Sequence, residues 1–482
     1  MTDRVVRAIP AALVIVAVLI RLPTLTLPLL ERHEFRQTQT AWTARIFHTD
    51  GIDLLHPQMP VLGPPWEVPF EFPLFQAGAA LLMDAGVDET VALRGSSLAW
   101  FALSAVLLYL LLRPRIGRLG ASAALVVFLF TPLGMVWSRT SMIEYLAVAA
   151  SLGFALAGLH WRERGGRRWW ALAAILGSVA MLVKVTSAVF WIVPFALLGL
   201  ARGTRDVASD ADGASDGARG WRSIPAWGLV AVPLAVGLLW TRHADAIKAA
   251  SDATAWLTSS ALFSWNFGTL EQRLDLADWE RALRPSTVLT ALYLLPFAVA
   301  ITAVVAIRRG EWRFWAWVGI AYAAPIVVFF NLYVVHDYYS AAIAPAAAAI
   351  IGAAVAGLAR SRHLVSRLTL AAGVIAFAAG VAIHLDYVLP IYGRPPISTA
   401  LLDLADQIAA ETQPDQPVAI LDRDWNPALL FYADRRGFMV RGSTWPPGSV
   451  ERFLADGWAL YRCPQRGEGA GTCQRVTTAP PG

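Results

Sequence analysis

Charged side chains are scarce in this chain. Of its 482 residues, 16% are Asp, Glu, Lys or Arg and 56% are hydrophobic, whereas soluble proteins average about 25% charged residues. The mean hydropathy is +0.51. This composition excludes an ordinary soluble domain and predicts an all-α polytopic membrane protein.

Cysteine is almost absent as well, and so are several motifs that carry chemistry. The chain has two cysteines, Cys463 and Cys473. It has neither zinc-ligand spacing nor a glycine-rich phosphate loop, which argues against a structural zinc site and a P-loop enzyme. The formal net charge is +5, but no basic stripe with interleaved aromatic residues accompanies it, so nucleic-acid binding is excluded.

Long apolar runs are what the chain has instead. A membrane-spanning helix needs roughly 20 mostly apolar residues. About eleven stretches qualify as candidates, near 5–22, 91–112, 119–137, 142–160, 169–183, 187–201, 223–240, 286–307, 314–332, 340–359 and 368–389.

The distribution of arginines predicts the orientation of these helices. The first stretch follows Arg4 and Arg7 and has no small-residue cleavage site after it, which is typical of an uncleaved signal anchor with a cytoplasmic N-terminus. Basic residues then crowd every second loop, as the positive-inside rule requires. The C-terminal tail is therefore expected outside the cytoplasm, where a disulfide between Cys463 and Cys473 is favoured over two free thiols.

Three large polar segments, 23–90, 241–285 and 390–482, lie outside in this topology, whereas 202–222 reads as a flexible cytoplasmic linker. Residues 38–47 have the apolar spacing of an amphipathic helix on the membrane, and a proline-stiffened strap follows at 60–73. Residues 390–482 alternate helical and strand signals, which predicts a small α/β extracytoplasmic domain after a transmembrane domain of residues 1–389. Its expected helices are 398–410, 427–433 and 449–455, and its expected strands are 418–421, 438–440 and 459–463.

The run His33-Glu34-Phe35-Arg36 follows the first span directly. A carboxylate at the interface is costly unless it is solvated or paired, and Arg36 or His33 can supply the partner. Poised there, Glu34 could take a proton from an acceptor hydroxyl or amine. The alternative is a salt-bridged interfacial loop without catalytic function.

Four further groups of ionisable residues fall at predicted outer helix ends or in outer loops. Arg139 suits a phosphate, with Glu144 as a second acid or as its counter-ion. Lys184 either binds phosphate as a point charge or extends to the interface. The remaining groups are the His336-Asp337-Tyr338-Tyr339 run, which could orient a sugar or a phosphate, and the acids Glu67 and Glu71 in the strap.

Taken together, these motifs and their order resemble the family-39 glycosyltransferases, which include protein O-mannosyltransferases and lipid A aminoarabinose transferases. The resemblance implies a C-type glycosyltransferase fold that takes a sugar from a polyprenyl-phosphate donor on the outer leaflet, with inversion. The family's first-loop signature is Asp-Glu; here His33 replaces the Asp, so Glu34 is the expected base and His33 its proton partner or substitute. Glu71 stands where the aminoarabinose transferases have a lysine, which implies a different substrate.

The resemblance also implies roles for the other candidates. Arg36, Arg139 and Lys184 are expected to bind the donor phosphate, and the expected substrate contacts are Glu71, Glu144, His336, Asp337, Tyr338 and Tyr339. The scheme requires no cofactor; a divalent cation is compatible with it but is not indicated by the sequence. The expected partners are a polyprenyl-phosphate-linked sugar, a lipid, glycan or protein acceptor of the cell envelope, and the bilayer of the plasma (inner) membrane.

Three other functions remain open from the sequence. A transporter or flippase of lipid-linked glycans would place charges in the middle of several spans, whereas here they gather at outer ends. An O-antigen ligase or polymerase would carry its large outer loop late in the chain. A degenerate member that only binds its ligand is the third alternative.

Overall fold

The computed structural model describes residues 3–199, 227–392, 399–439, 448–464 and 471–477. The chain divides into two compact units. Unit 1 comprises Met1–Leu25, Arg94–Thr241 and Leu262–Gly393, and unit 2 comprises Thr26–Leu93, Arg242–Ala261 and Arg394–Gly482. The predicted linker at 202–222 lies outside the described residues.

Unit 1 is helical throughout its described part. Its helices and helical turns, some of which extend into unit 2, are Asp3–Arg21, Leu22–Thr24, Glu89–Phe130, Pro132–Trp137, Glu144–Arg164, Arg167–Pro194, Phe195–Gly199, Gly228–Ala249, Phe263–Phe267, Leu270–Leu274, Leu276–Arg284, Pro285–Leu289, Leu295–Arg309, Trp312–Val328, Phe330–Val335, Asp337–Ala342, Ala344–Arg360, Leu364–Ile383 and Leu385–Tyr392.

The Glu89–Phe130 element is a hairpin of two helices. The rings of Phe101 and Phe128 lie 4.9 Å apart, whereas a straight helix would separate these residues by about 40 Å. The chain turns back at Gly117, whose φ of 75° is readily available only to glycine. The predicted spans 91–112 and 119–137 therefore begin on separate arms of this hairpin.

A second reversal occurs within Arg167–Pro194. The Phe154 ring lies 5.7 Å from the ring of Phe195 and also borders Gly177, where an added Cβ would come within 3.0 Å of it. Gly177 and Phe195 would lie about 27 Å apart along a straight helix. The chain therefore folds back near Lys184, which has non-helical φ and ψ of −159° and 81°, and Lys184 lies at the reversal between the predicted spans 169–183 and 187–201.

Among the described residues, four helical segments are long and apolar enough to cross a membrane by length and composition: Arg7–Thr24, Glu89–Phe130, Arg167–Leu198 and Leu364–Ile383. The second and third of these contain the chain reversals at Gly117 and Lys184. Trp312–Val328 and Ala344–Arg360 are shorter apolar helices. The chain is a multi-pass membrane protein, and the number of eleven crossings stays a prediction.

Glycines allow two of these helices to pack closely. A Cβ placed on Gly352 would lie 2.5 Å from the carbonyl oxygen of Gly120 and 2.8 Å from the Cβ of Ala124. On the other side, a Cβ on Gly120 would lie 2.7 Å from the Cβ of Ala356. Small residues on both surfaces let the helix backbones touch, as is common in membrane proteins.

Unit 2 combines helices with a four-stranded sheet. Its helices are Glu34–Asp50, Leu74–Asp84, Ala255–Leu257, Thr399–Glu411, Ala428–Ala433 and Ser449–Ala455. Its strands are β1 (Val418–Leu421), β2 (Gly437–Met439), β3 (Ala459–Arg462) and β4 (Gln474–Arg475), in the order β2-β1-β3-β4. β1 pairs in parallel with β2 and β3, while β4 is antiparallel to β3. The segment 390–482 thus contains the predicted helices and strands, plus β4.

The proline-rich strap at 60–73 adds to this sheet. Its backbone forms hydrogen bonds with β2, from Gly63 N to Gly437 O at 3.1 Å and from Met439 N to Val61 O at 2.9 Å. This pairing covers the outer edge of β2, which would otherwise expose unpaired backbone groups. Residues 394–482 accordingly form one compact unit with 26–93 and 242–261, a grouping that differs from the division of the chain at residue 389/390.

The helix predicted over 38–47 spans Glu34–Asp50 and is buried along its middle. It packs against Leu74–Asp84 and Ala428–Ala433. Its polar residues bond internally: Thr38 Oγ1 donates to the carbonyl of Glu34 at 2.7 Å and Thr43 Oγ1 to that of Gln58 at 2.8 Å. A helix lying on a membrane would leave its polar face outward, so the surface position predicted for this helix is corrected to an enclosed one.

Near the C-terminus, Cys463 and Cys473 are joined by a disulfide with a Cα–Cα distance of 4.3 Å. It links the residue after β3 to the residue before β4, so it ties together the ends of two paired strands.

Candidate active site

Glu34 is the first residue of the Glu34–Asp50 helix. His33 precedes it in the left-handed conformation, with φ of 54° and ψ of 47°, and turns the chain sharply into the helix. An acid in the first turn interacts favourably with the positive end of the helix dipole. The Glu34 carboxylate is half-buried, and its Oε1 accepts a hydrogen bond of 3.0 Å from Nδ2 of Asn426.

Arg36 lies half a turn further along the same helix and pairs with Glu71. The Arg36 Nη2 to Glu71 Oε1 distance is 2.6 Å, and the two side chains are 16% and 25% exposed. Nη1 of Arg36 also donates to Gln39 Oε1 at 2.8 Å. The predicted phosphate ligand and the predicted substrate ligand of this loop thus neutralise each other.

Lys248 adds a second cation to this part of unit 2. Its ammonium lies 5.7 Å from the Phe70 ring centroid and 3.1 Å from the Asp245 carboxylate. Burial lowers the pKa of Lys248, and the charges of Asp245 and Glu71 partly oppose that shift. Lys248 was not among the residues predicted for the site.

An aromatic cluster surrounds Trp425. Its ring contacts those of Phe35 at 4.6 Å, Phe70 at 6.3 Å and Trp256 at 5.2 Å between centroids. Phe35 follows Glu34 and Trp425 precedes Asn426, so the cluster packs the backbone next to both hydrogen-bonding residues. The contacts with Phe35 and Trp256 are edge to face, and Phe70 is stacked. Aromatic pairs of these kinds add roughly 0.5–1.5 kcal/mol each beyond burial of area.

Unit 1 brings together a different set of predicted residues. Lys184 and Glu144 form a buried ion pair, with side chains 2% and 4% exposed. The Lys184 ammonium lies 4.3 Å from the ring centroid of Tyr339 and 5.2 Å from that of Tyr338. The partner of Glu144 is therefore Lys184, a pairing that the sequence had not suggested.

The His336–Tyr339 run completes this set. The His336 ring stacks on Tyr338 at 5.1 Å, and Tyr338 is buried. Oδ2 of Asp337 accepts a hydrogen bond of 2.7 Å from the hydroxyl of Tyr387. Tyr387, which was not predicted, is held in turn by Nε1 of Trp137 at 3.1 Å.

Arg139 is fully buried in unit 1. Its Nη1 donates to the carbonyl of Thr24 at 3.5 Å, and its own carbonyl accepts from Nη1 of Arg94 at 3.0 Å. Arg21 is equally buried and donates to Ser138 and to carbonyl oxygens of Ala17, Leu129 and Gly134. Three cationic side chains are therefore enclosed in the same unit as the Lys184–Glu144 pair.

The predicted site residues thus fall into two sets. His33, Glu34, Arg36 and Glu71 belong to unit 2, and Arg139, Glu144, Lys184 and His336–Tyr339 belong to unit 1. Across the described ranges, three or more His, Cys, Asp or Glu residues nowhere converge as a group able to hold a metal ion. The expectation that no cofactor is needed stays a prediction.

The contact of Asn426 with Glu34 was not predicted from the sequence, which indicates the run 422–426 only as a turn that could read the acceptor or as an ordinary turn. The run Asp422-Arg423-Asp424-Trp425-Asn426 is visible as a polar turn after a strand, but its partner Glu34 lies 392 residues away. A local signal did exist, because an Asn just before a helix often caps it. Asn426 Oδ1 accepts from the backbone N of Ala428 at 3.0 Å.

The likeness of the chain to solved structures shows a C-type glycosyltransferase fold. Residues 67–209 match the model of a family described as dolichyl-phosphate-mannose-protein mannosyltransferase. ArnT from Cupriavidus metallidurans, solved with undecaprenyl phosphate bound, is similar with a TM-score of 0.60 and 16% identity, over 94% of this chain and 93% of that one.

The oligosaccharyltransferase of Archaeoglobus fulgidus, solved as a complex with Zn and sulfate, is similar with a TM-score of 0.52 and 12% identity, over 94% of this chain and 68% of that one. No curated protein matches the sequence significantly. At these identities the structural likeness establishes the fold, and the structural neighbours are glycosyltransferases.

Proposed function

We propose that the chain is an integral-membrane glycosyltransferase that moves a sugar from a polyprenyl-phosphate donor to an acceptor on the extracytoplasmic side, with inversion at the anomeric carbon. The acceptor is a lipid, a polysaccharide or a protein of the cell envelope, and the membrane is the plasma (inner) membrane. The shared fold supports this proposal, as does the undecaprenyl phosphate bound to the similar ArnT structure.

The observation that carries the proposal is the placement of Glu34. It stands at the start of a helix enclosed in unit 2, and Asn426 holds one of its carboxylate oxygens at 3.0 Å. Attack on the anomeric carbon expels a phosphate, which is already a fair leaving group, so the reaction needs one base and cations near that phosphate. Glu34 is the base in this scheme, with His33 beside it as proton partner.

Cationic stabilisation of the departing phosphate is proposed for Arg36, Arg139 and Lys184. Arg36 and Lys184 each pair with a carboxylate, Glu71 and Glu144 respectively. The phosphate of the sugar donor would therefore compete with an existing carboxylate at each of these cations. Binding of the sugar donor should then depend on how firmly Glu71 and Glu144 hold Arg36 and Lys184. The aromatic residues Tyr338 and Tyr339, beside His336 and Asp337, are proposed to contact the substrate.

The test is transfer of radiolabelled sugar from a panel of synthetic polyprenyl-phosphate sugars into envelope extract. We expect transfer from one donor by the wild-type protein and a loss of about 10²–10⁴-fold in Glu34→Gln, the usual contribution of a general base. Glu67→Gln, which removes the same charge from the same loop, is the matched control and should transfer normally.

Two outcomes contradict the proposal. If Glu34→Gln transfers sugar as fast as the wild type, Glu34 is not the base. If no donor supports transfer and the protein instead moves lipid-linked glycans across vesicle membranes, the chain is a flippase and not a transferase.

A further inference from the structure

Asn426 uses both ends of its side-chain amide. Its Oδ1 accepts from the backbone N of Ala428, the first residue of the Ala428–Ala433 helix, at 3.0 Å. Its Nδ2 donates to Oε1 of Glu34 at 3.0 Å. Because the oxygen end is committed to the helix, the NH₂ end must face the carboxylate, so the amide is orientated by the fold.

The neighbours of Asn426 fix the same contact. Trp425 packs edge to face on Phe35, with 4.6 Å between the ring centroids. Two consecutive residues, Trp425 and Asn426, therefore contact the two consecutive residues Phe35 and Glu34. The backbone N of Asn426 also donates to the carbonyl of Asp424 at 2.7 Å, which tightens the turn. A hydrogen bond to an ionised acceptor is roughly twice as strong as one between neutral groups.

We propose that Asn426 is a positioning residue that holds the Glu34 carboxylate in the orientation needed for removal of the acceptor proton. This inference rests on the proposed function, in which Glu34 is the base. A base held in one orientation reacts faster than one that rotates freely.

Other charged groups also lie on the segments that contribute to the surroundings of Glu34 and Asn426. Arg423, in the same turn, interacts electrostatically with Glu34, while burial lowers the pKa of Arg423. The remaining titratable or charged groups are His33 and Arg36 on the helix side, Glu71 in the strap, Lys248 in the 242–261 segment and Asp424 in the turn. Asn426 both accepts from the backbone N of Ala428 and donates to Glu34, which makes a substitution at Asn426 informative.

The test compares the pH dependence of kcat/KM for Asn426→Asp and Asn426→Ala with the wild type. Asn426→Asp keeps the oxygen that accepts from Ala428 but faces Glu34 with a second carboxylate. We expect its acidic limb to move upward by about one pH unit or more, because like charges favour protonation, and its kcat near neutral pH to fall at least about tenfold. Asn426→Ala removes both the donor to Glu34 and the oxygen that accepts from Ala428. Because it adds no charge, it should shift the limb less than Asn426→Asp.

Asn266→Asp is the matched control, since it makes the same chemical change at a half-buried position in unit 1 and should leave the profile unaltered. A purely structural role for Asn426 would lower the amount of folded protein without moving the limb. If Glu34→Gln is inactive at every pH but both Asn426 variants keep the wild-type profile, the positioning role is wrong while the proposed function stands. If Glu34→Gln is active, both fail.

Discussion

Two carboxylates of the candidate site, Glu34 and Glu144, receive hydrogen bonds from different kinds of donor. Glu34 receives a neutral amide donor in unit 2, whereas Glu144 in unit 1 receives the ammonium of Lys184. An amide leaves the negative charge of the carboxylate in place, while an ammonium neutralises it. Glu34 is therefore equipped to accept a proton, and Glu144 is better suited to hold Lys184 in place.

The Lys184–Glu144 pair gives the first prediction. Both side chains are almost fully buried, so Glu144→Gln removes one charge of a buried pair and leaves the other in place. Breaking a buried pair on one side costs about 3–5 kcal/mol, and we expect a clear drop in the midpoint of thermal unfolding in detergent.

The double variant Glu144→Leu with Lys184→Met is the control for this prediction. It removes both charges and should recover most of the loss, since an apolar replacement of a whole pair is often neutral. Glu280→Gln, at an exposed position, should change stability by less than about 0.5 kcal/mol. A Glu144→Gln protein as stable as the wild type would show that the pair contributes nothing to the fold.

The sequence identifies the residue types of the site better than their partners. Glu34, Arg36, Lys184 and Glu144 stand out because charges are rare in so apolar a chain, and such residues are costly in or near a membrane. Their pairings were not predictable, because Lys184 and Glu144 are 40 residues apart and Glu34 and Asn426 are 392 apart. Local patterns carry no information on contacts over such separations.

At the scale of elements, apolar periodicity predicts most helices and strands, and the exceptions have physical causes. β1 is found at Val418–Leu421, the range expected from its apolar run. The Glu34–Asp50 helix begins four residues before the start that apolar spacing predicts. His33, the residue before it, makes no side-chain cap and turns the chain through a left-handed conformation. A helix start without a capping side chain gives no recognisable sequence signal.

Close packing of the helices that carry Gly120 and Gly352 leads to the second prediction. A Cβ at Gly352 would lie 2.5 Å from the Gly120 carbonyl oxygen, and a backbone atom cannot move aside cheaply. We expect Gly352→Ala to lower the free energy of unfolding by about 1–3 kcal/mol, the usual cost of overpacking, measured as reduced thermal stability in detergent.

Gly373→Ala provides the matched comparison. Gly373 also lies inside an apolar helix, Leu364–Ile383, but nothing lies within 4 Å of the Cβ it would gain. Because alanine is the better helix former by about 1 kcal/mol, this variant should be as stable as the wild type or slightly more so. Equal effects of the two substitutions would mean that the contact between Gly120 and Gly352 is not a tight one.

On the scale of the whole molecule, unit 2 is assembled from three segments that are distant in the chain. The strap at 60–73 pairs with β2 through backbone hydrogen bonds, so the first loop and the C-terminal segment contribute to one sheet. The sequence predicted the strands but treated the C-terminal segment as a separate domain, because backbone pairing leaves no trace in side-chain patterns. All three segments were predicted to lie on the same side of the membrane, as parts of one folded unit must.

The third prediction is that the segments 23–90, 241–285 and 390–482 all lie on the extracytoplasmic side of the membrane. It follows from the distribution of arginines along the chain. In a background with Cys463→Ser and Cys473→Ser, a single cysteine at Glu271 should react with a membrane-impermeant maleimide in intact cells. A cysteine at Arg362 should react only after lysis, since it lies in an arginine-rich loop expected in the cytoplasm. Both positions are exposed, so a difference in labelling reports their side of the membrane and not burial. The reverse pattern would place the disulfide-bonded segment in the cytoplasm, where thiols stay reduced, and would place unit 2 and Glu34 on the wrong side for an extracytoplasmic transferase.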